Sequence, residues 1–486
     1  MSSKKNEVLN KPIPEKERVP WYEKLLFGAG GIGHGFQGYA DNQIYQPFFV
    51  LTLGISPAWM SLRNLVERLW DAVSDALIGW WTDNTKSRWG RRKPFVFAGG
   101  LLGGLWLPVL FFLNPEWSTQ GIVIWLIGYA IIASTLMTLW NIPYQCMLLE
   151  ITPHTRERTN VAAWRAYVGK LGGLAMGWIW WLTQLPIFNN PDTGEPDIIL
   201  GARWVMCTFG VISIFFALMP LFAKCRTEVA DPGKGPKMNI RENIKQTFKN
   251  RSFLVILGVS LLFTLGYNMK SGLDFYARFF YVFEGDQKLA STIHGTGHTL
   301  TMLVGVIGIP IFQWLANHKG KRFALVLVMA IVFMAGLSTI VCYNPNYPYL
   351  SMVPQLLVAP AWSAMWILIP SMTGDIVDED ELITHNRREG SFAATFSWFY
   401  KVALSMAPAI SGPLIEIIGY DAAMKTEQPE HVVNTLRILI VVIPTVFIGA
   451  AMILLRWYNL TTERVEVIRK ELEERREGKE PETKEE

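Results

Sequence analysis

Twelve long apolar stretches, separated by short polar or charged segments, account for most of the chain. They fall at approximately 25–53, 57–82, 94–114, 119–148, 163–186, 201–223, 253–283, 292–316, 323–343, 349–374, 391–419 and 433–457. Each approaches or exceeds the roughly 20 residues that cross a bilayer as a helix. A helix also satisfies its own backbone where water is absent. The pattern predicts an all-α integral membrane protein with twelve transmembrane helices. Beyond the last stretch, Val465, Ile468 and Leu472 recur at helical spacing among alternating Glu and Arg/Lys, which reads as a solvated cytoplasmic helix. The polar, Pro-containing segment before the first stretch carries no cleavable signal pattern.

Charge gives these spans an orientation. Only 18% of the 486 residues are charged, against about 25% in soluble domains, and they cluster on one set of loops. The loop at 83–93 carries Lys86, Arg88, Arg91, Arg92 and Lys93, the linker at 224–251 carries eight Lys/Arg, and 317–322 carries three. The alternate loops carry almost none. By the positive-inside rule, both termini and the linker are cytoplasmic. The expected organisation is a cytoplasmic segment 1–24, a six-helix bundle 25–223, a linker 224–252, a second six-helix bundle 253–457 and a charged tail 458–486. A weak internal repeat matches Gly90, in Arg88-Trp89-Gly90-Arg91-Arg92-Lys93, to Gly320, in His318-Lys319-Gly320-Lys321-Arg322. Such repeats mark many carriers.

Two classes of chemistry are set aside. Gly28, Gly30 and Gly33 match the dinucleotide-binding spacing, but no strand precedes them and they open an apolar helix. Close packing between membrane helices explains them better. The four cysteines, Cys146, Cys207, Cys225 and Cys342, have no paired spacing and suggest neither a disulfide framework nor a zinc site. With no hydrolytic triad, metal cluster or appended domain, an enzyme or a sensor is disfavoured, and no cofactor or nucleic-acid partner is expected.

Charges inside the spans carry the functional signal. The second span holds Arg63, Glu67, Arg68, Asp71 and Asp75, a net charge of −1 (two positive, three negative). A charge at the bilayer centre costs roughly 2.5–3.5 kcal/mol on insertion scales, so such residues are functional by default. Arg68, Asp71 and Asp75 are three and four residues apart and share a helix face. One monovalent cation would neutralise the excess. Asp71, Asp75, Ser74, and Thr138 or Asn141 on the fourth span offer the oxygen ligands a hard cation prefers. The competing reading is a permanent ion-pair network that holds the bundle together. Other spans supply polar groups suited to a hydroxyl-rich or anionic solute: Gln37 and Asp41; Asn141 and Gln145 beside Pro143; Arg165; Lys270 and Asp274, spaced to pair; and Trp398 with Lys401. Trp362 and Trp366, one turn apart, are candidates to stack on a sugar face.

Three blocks extend this picture. They are Arg68-Leu-Trp-Asp71-Ala-Val-Ser-Asp75 with Asp83-Asn-Thr-Lys-Ser-Arg88-Trp-Gly90-Arg-Arg-Lys-Pro94; Pro143-Tyr144 through Glu150 to Arg156-Glu157-Arg158 and Arg165; and Gly374-Asp375-Ile-Val-Asp378 with Arg387-Arg388-Glu389-Gly390 and Lys401. Together they resemble the glycoside–pentoside–hexuronide:cation symporter family. The resemblance implies a major facilitator fold and alternating access, with Na⁺, Li⁺ or H⁺ held at Asp71 and Asp75 and a hydroxyl ligand at Thr138. It places Arg165 at the sugar and Lys401 near the cation. It implies cytoplasmic gating pairs at Asp83, Arg88, Arg91, Arg92, Arg158, Asp375, Asp378 and Arg388. The expected protein is a monomer in a bacterial inner membrane, surrounded by lipid, that moves a sugar or glycoside inward with Na⁺ or H⁺. Melibiose permease, a member of the family, has sugar-binding acids where this chain has Gly35 and Asn141, and a tryptophan where it has Gln145. The site's charge balance therefore points to a different glycoside, such as a uronide or a sulfonated or sulfated sugar. Vertebrate relatives carry lysophospholipid, which keeps an amphiphile as the alternative solute.

Overall fold

The computed structural model describes residues 18–152, 154–226, 247–385, 388–421, 424 and 428–476. Most of the expected linker and the last residues of the tail lie outside them. Among the described residues the long helices are α1 (Trp21–Tyr39), α2 (Pro57–Asn84), α3 (Lys93–Trp106), α4 (Thr119–Glu150), α5 (Thr155–Met176), α6 (Ile198–Leu218), α7 (Arg251–Ala277), α8 (Gln287–Lys319), α9 (Lys321–Cys342), α10 (Val353–Thr384), α11 (Glu389–Ile417), α12 (Glu430–Leu454) and α13 (Thr462–Arg476). Eight segments, built on α3, α4, α6, α7, α8, α9, α10 and α12, are long and apolar enough to cross a membrane. The other four of the first twelve, α1, α2, α5 and α11, include those that carry charge along their length.

Local chemistry sets the helix ends. Ser118, Asp197, Asn250 and Asp286 cap α4, α6, α7 and α8 by accepting a backbone N–H three residues on, satisfying donors that the helix leaves unpaired. The first span is not one continuous helix, as its apolar pattern suggested. After Tyr39 it passes through a tight turn at Asp41–Gln43 and a wider turn at Pro47–Thr52.

The chain divides into two compact units, Met1–Ile55 with Val66–Gly235, and Ser56–Leu65 with Pro236–Glu486. In the first unit α1 packs on α5 and α6, and α3 packs on α4 and α6. In the second, α7 packs on α11 and α12, and α9 packs on α10 and α12. The two units thus use the same packing scheme. The match extends to one turn: Gly90 and Gly320 both adopt positive φ, 88° and 87°, a conformation that glycine enters without strain.

The glycines of α1 pack against neighbouring helices rather than cradling phosphate. Gly28 lies against the Trp164 carbonyl of α5, and Gly33 lies against the Ala217 backbone of α6, where a Cβ would fall 2.5 Å from the Ala217 nitrogen. Gly33→Val would therefore force α1 off α6. Overpacking of this kind costs about 1–3 kcal/mol, so the variant should melt at a lower temperature than the wild type in detergent. An unchanged melting temperature would show that the helices do not approach this closely.

Candidate functional site

The candidate cation site lies in the first unit, where α4 faces α2. Asp71 and Asp75 are one turn apart on α2, and Ser134 and Thr138 are one turn apart on α4. The Thr138 hydroxyl lies 3.2 Å from Asp75 Oδ1 and 3.4 Å from Asp71 Oδ1, and the Ser134 hydroxyl lies 3.4 Å from Asp71 Oδ1. Both hydroxyls are buried and both carboxylates half-buried. The four side chains bring two carboxylates and two hydroxyls together. Two carboxylates with two hydroxyls suit a hard monovalent cation and equally suit a proton held between carboxylates.

The other face of α4 explains this orientation. The Trp140 indole donates to the Ala217 carbonyl of α6 at 2.9 Å, and the Tyr144 hydroxyl donates to the Phe27 carbonyl of α1 at 2.6 Å. Both rings are fully buried. At about 100° per residue, Trp140 lies nearly opposite Thr138. Anchoring the aromatic face to α1 and α6 turns the hydroxyl face toward α2.

Ser134 was missed in the sequence, although its spacing to Thr138 repeats that of Asp71 to Asp75. Ser74 turns back on its own helix, donating to the Asp71 carbonyl at 3.2 Å. Arg68 is exposed while both acids are half-buried, so the three do not share one environment.

The remaining candidates of the first unit separate into two groups. Asn141 and Gln145 bond each other at 3.1 Å, and the Arg165 guanidinium stands 4.8 Å from the centre of the Tyr144 ring. His34, not expected from the sequence, stacks on Trp140 at 5.7 Å, and its buried Nδ1 has no partner among the described residues. This forms one polar and aromatic surface across α1, α4 and α5. Gln37 instead serves packing, donating to the Gly100 carbonyl of α3 at 2.8 Å. Asp41 is buried at the break after α1 and accepts the Asn42 N–H.

In the second unit, the expected Lys270–Asp274 pair does not form. Asp274 pairs instead with Arg278 at 3.4 Å and accepts the Tyr343 hydroxyl, while Lys270 lies 3.4 Å from the Thr339 hydroxyl. Lys270 and Asp274 thus each reach toward α9 and its end rather than toward one another. Trp362 stacks on Tyr267 at 4.3 Å as part of the core edge. Trp366, edge-on to Tyr400, and Trp398, beside Phe399, are exposed, as is Lys401.

The charged helix ends form one network in each unit. In the first, Arg92 pairs with Asp83 at 2.6 Å, and Arg91 reaches Glu150 at 3.3 Å. Glu157 pairs with Lys24 at 2.7 Å, and Glu23 pairs with Arg226 at 2.8 Å. Arg158 donates to the Thr152 carbonyl. Arg88 is exposed and has no ion-pair partner among the described residues. In the second unit, Asp375 accepts Lys321 at 2.6 Å and Arg469 at 2.9 Å, Asp378 lies 3.9 Å from Arg469, and Arg388 clasps Asp380. Arg91 and Lys321 each follow the positive-φ glycine, and each pairs with an acid from the fourth long helix of its own repeat.

The tail helix corrects the solvated reading. Ile468 and Leu472 are buried in the core of the second unit, and Arg475 donates to the Glu381 and Leu382 carbonyls at the end of α10. Alternating charges concealed two apolar positions that face a neighbouring helix.

The family described as MFS/sugar transport protein matches residues 26–462. The chain belongs to that family. It is 25% identical to the isoprimeverose transporter of Lactiplantibacillus pentosus, covering 92% of this chain and 90% of that one. It is 27% identical to the inner membrane symporter YicJ of Escherichia coli (strain K12), over 93% and 94%. It is 23% identical to the sodium-dependent lysophosphatidylcholine symporter 1-A of Danio rerio, over 96% and 90%. Among solved structures, a bacterial homologue of the iron transporter ferroportin in the inward-facing state superposes with a TM-score of 0.61 at 13% identity, covering 90% of this chain and 99% of that one. That likeness concerns the fold alone. The protein is a multi-pass membrane transporter with the major facilitator fold, and not an enzyme.

Acid dependence follows from the helix-end pairs. Burial works to raise Glu157 and Glu23, but hydrogen bonds from Lys24, Asn160 and the Val19 N–H to Glu157, and from Arg226 and the Lys224 N–H to Glu23, hold both below the ordinary carboxylate value. A lowered folded value means that their stabilisation is complete above the ordinary carboxylate range and lost as pH falls through the folded values. Melting temperature should drop in that acid window. Glu157→Gln should melt lower than wild type at neutral pH, with the gap closing on acidification; a gap independent of pH would remove the ionic role.

Proposed function

We propose that this protein is a secondary active symporter that moves a sugar or glycoside into the cell together with a monovalent cation, Na⁺ or H⁺. The observation that carries the reading is the facing of the half-buried Asp71 and Asp75 by the buried hydroxyls of Ser134 and Thr138. Two adjacent carboxylates repel each other in a medium of low dielectric. A cation between them relieves that repulsion and allows α2 and α4 to approach. Removing the cation restores the repulsion, so occupancy favours one arrangement of the two helices over another. A solute that binds better to the cation-loaded arrangement is then coupled to the ion gradient, since linkage is reciprocal.

The polar side chains Asn141, Gln145, Arg165 and His34, set around the buried Tyr144 and Trp140 rings, suit a polyhydroxylated solute. Arg165, whose guanidinium can form paired bonds to a planar anion, also suits a uronide or sulfonated sugar. The similarity to an isoprimeverose transporter supports the sugar reading. The similarity to a lysophosphatidylcholine symporter supports an amphiphile as the second reading. The distribution of basic loops supports cytoplasmic termini, and the likeness to bacterial symporters supports a monomer in a bacterial inner membrane.

Uptake of a panel of labelled glycosides into proteoliposomes tests the reading. Accumulation should require an imposed Na⁺ or H⁺ gradient, and uptake at the same rate without one would overturn coupling. Competition by free sugars but not by lysophosphatidylcholine separates the two solute classes. Asp71→Asn should abolish concentrative uptake while leaving counterflow exchange measurable. Ser134→Ala removes one hydroxyl, worth about 0.5–1.5 kcal/mol, and should raise the half-saturating cation concentration roughly three- to tenfold. An unchanged cation dependence in that variant would remove Ser134 from the site.

A further inference from the structure

A groove of about 480 Å³ runs between α9 and α12 in the second unit. Its walls are graded. Asn434 and Arg437 lie in the first turns of α12, and Tyr343 lies just past the end of α9, so the polar residues gather at one end of the two helices. Ile340, Ile438 and Val442 continue the groove toward the middle of the helices, and all three are exposed. Exposed aliphatic side chains at membrane depth are ordinary, and by themselves they select nothing. Arg437 does select. Its guanidinium sits 3.7 Å from the centre of the Tyr281 ring, and one N–H donates to Asn434 at 3.2 Å. Among the described residues no carboxylate lies within ion-pair distance of it. The side chain is thus held in place by a ring and an amide while its charge is left uncompensated at the level where a helix meets the lipid headgroups.

We propose that this groove is a binding site for an anionic membrane phospholipid. The headgroup phosphate pairs with Arg437, and one acyl chain lies along Ile340, Ile438 and Val442. The order of polar and apolar lining from the helix ends inward matches the order of headgroup and chain in a bilayer lipid. An arginine fork also matches the paired oxygens of a phosphodiester. The floor of the groove links the site to the interior. Tyr343 and Thr339 line it, and these two side chains hold Asp274 and Lys270 of α7. A bound lipid would pack on the outer side of the residues that fix the buried charges of α7, and so would stiffen α7, α9 and α12 together.

The test uses purified full-length protein in dodecyl maltoside, titrated with dioleoylphosphatidylglycerol or dioleoylphosphatidylcholine and read by native mass spectrometry and by melting temperature. The wild type should retain phosphatidylglycerol about fivefold more than phosphatidylcholine, the factor expected of one arginine at a headgroup, and should melt higher with it. Arg437→Lys should keep the preference. Arg437→Gln, which preserves polarity and removes charge, should bring the two lipids to parity without changing the lipid-free melting temperature. Equal retention of both lipids by the wild type would overturn the proposal. So would an undiminished preference in Arg437→Gln, or the same stabilisation by sodium phosphate alone. Ile438→Trp, which fills the groove, should lower the bound fraction of phosphatidylglycerol, and unchanged binding in that variant would place the lipid elsewhere.

Discussion

The organisation of this protein depends on how two carboxylates are accommodated within a helix that belongs among membrane spans. Asp71 and Asp75 cannot be left bare at that depth without a cost of several kcal/mol. Their partners are two hydroxyls of α4 with the same one-turn spacing, so two helices meet along matched rows of oxygen. That match requires α4 to be held at one rotation about its axis. Trp140 and Tyr144 hold it there from the opposite face, by burial and by hydrogen bonds to backbone carbonyls of α6 and α1. The glycines of α1 and α3 bring those carbonyls within reach, as at Gly99, where a Cβ would fall 2.6 Å from the Trp140 nitrogen. Small residues, buried aromatics and the acid pair are therefore parts of one arrangement.

The two units solve the problem of helix ends in the same way. A glycine with positive φ reverses the chain, and the next residue is a base that pairs with an acid on the fourth helix of its repeat. The chemistry around that pair has diverged. In the first unit the network spreads to the residues before α1 and after α6 through Glu157 and Glu23. In the second it recruits the tail helix through Arg469, so that Asp375 is shared between a loop and the C-terminal segment. Asp375 is buried, and a buried carboxylate with one base removed would be left partly uncompensated, which makes such positions costly to lose.

Much of the architecture was legible in the sequence because membrane helices declare themselves by length and apolarity, and basic loops by composition. The acid pair was legible for the same reason, since charge within an apolar run is conspicuous. Thr138 was found because it lies on a span already marked by polar groups. Ser134 was not, because a serine in a run of small and apolar residues has no contrast with its surroundings. Lys270 and Asp274 show the opposite error. Their spacing permits a pair, but an i,i+4 separation says only that two side chains can meet, and a tyrosine and an arginine within reach compete for the same carboxylate.

The sequence by itself determined the all-helical membrane architecture and the location of the costly charges, because each of these follows from local composition and from the free energy of placing a residue in lipid. Tertiary structure alone decided which hydroxyls face the acids, that Gln37 ties α1 to α3, that Arg88 has no ion-pair partner among the described residues, that the charged tail is a docked helix and that Arg437 overlooks a groove. These depend on the rotation of each helix about its axis. That rotation is set by side chains distant in sequence, through contacts that no local pattern records.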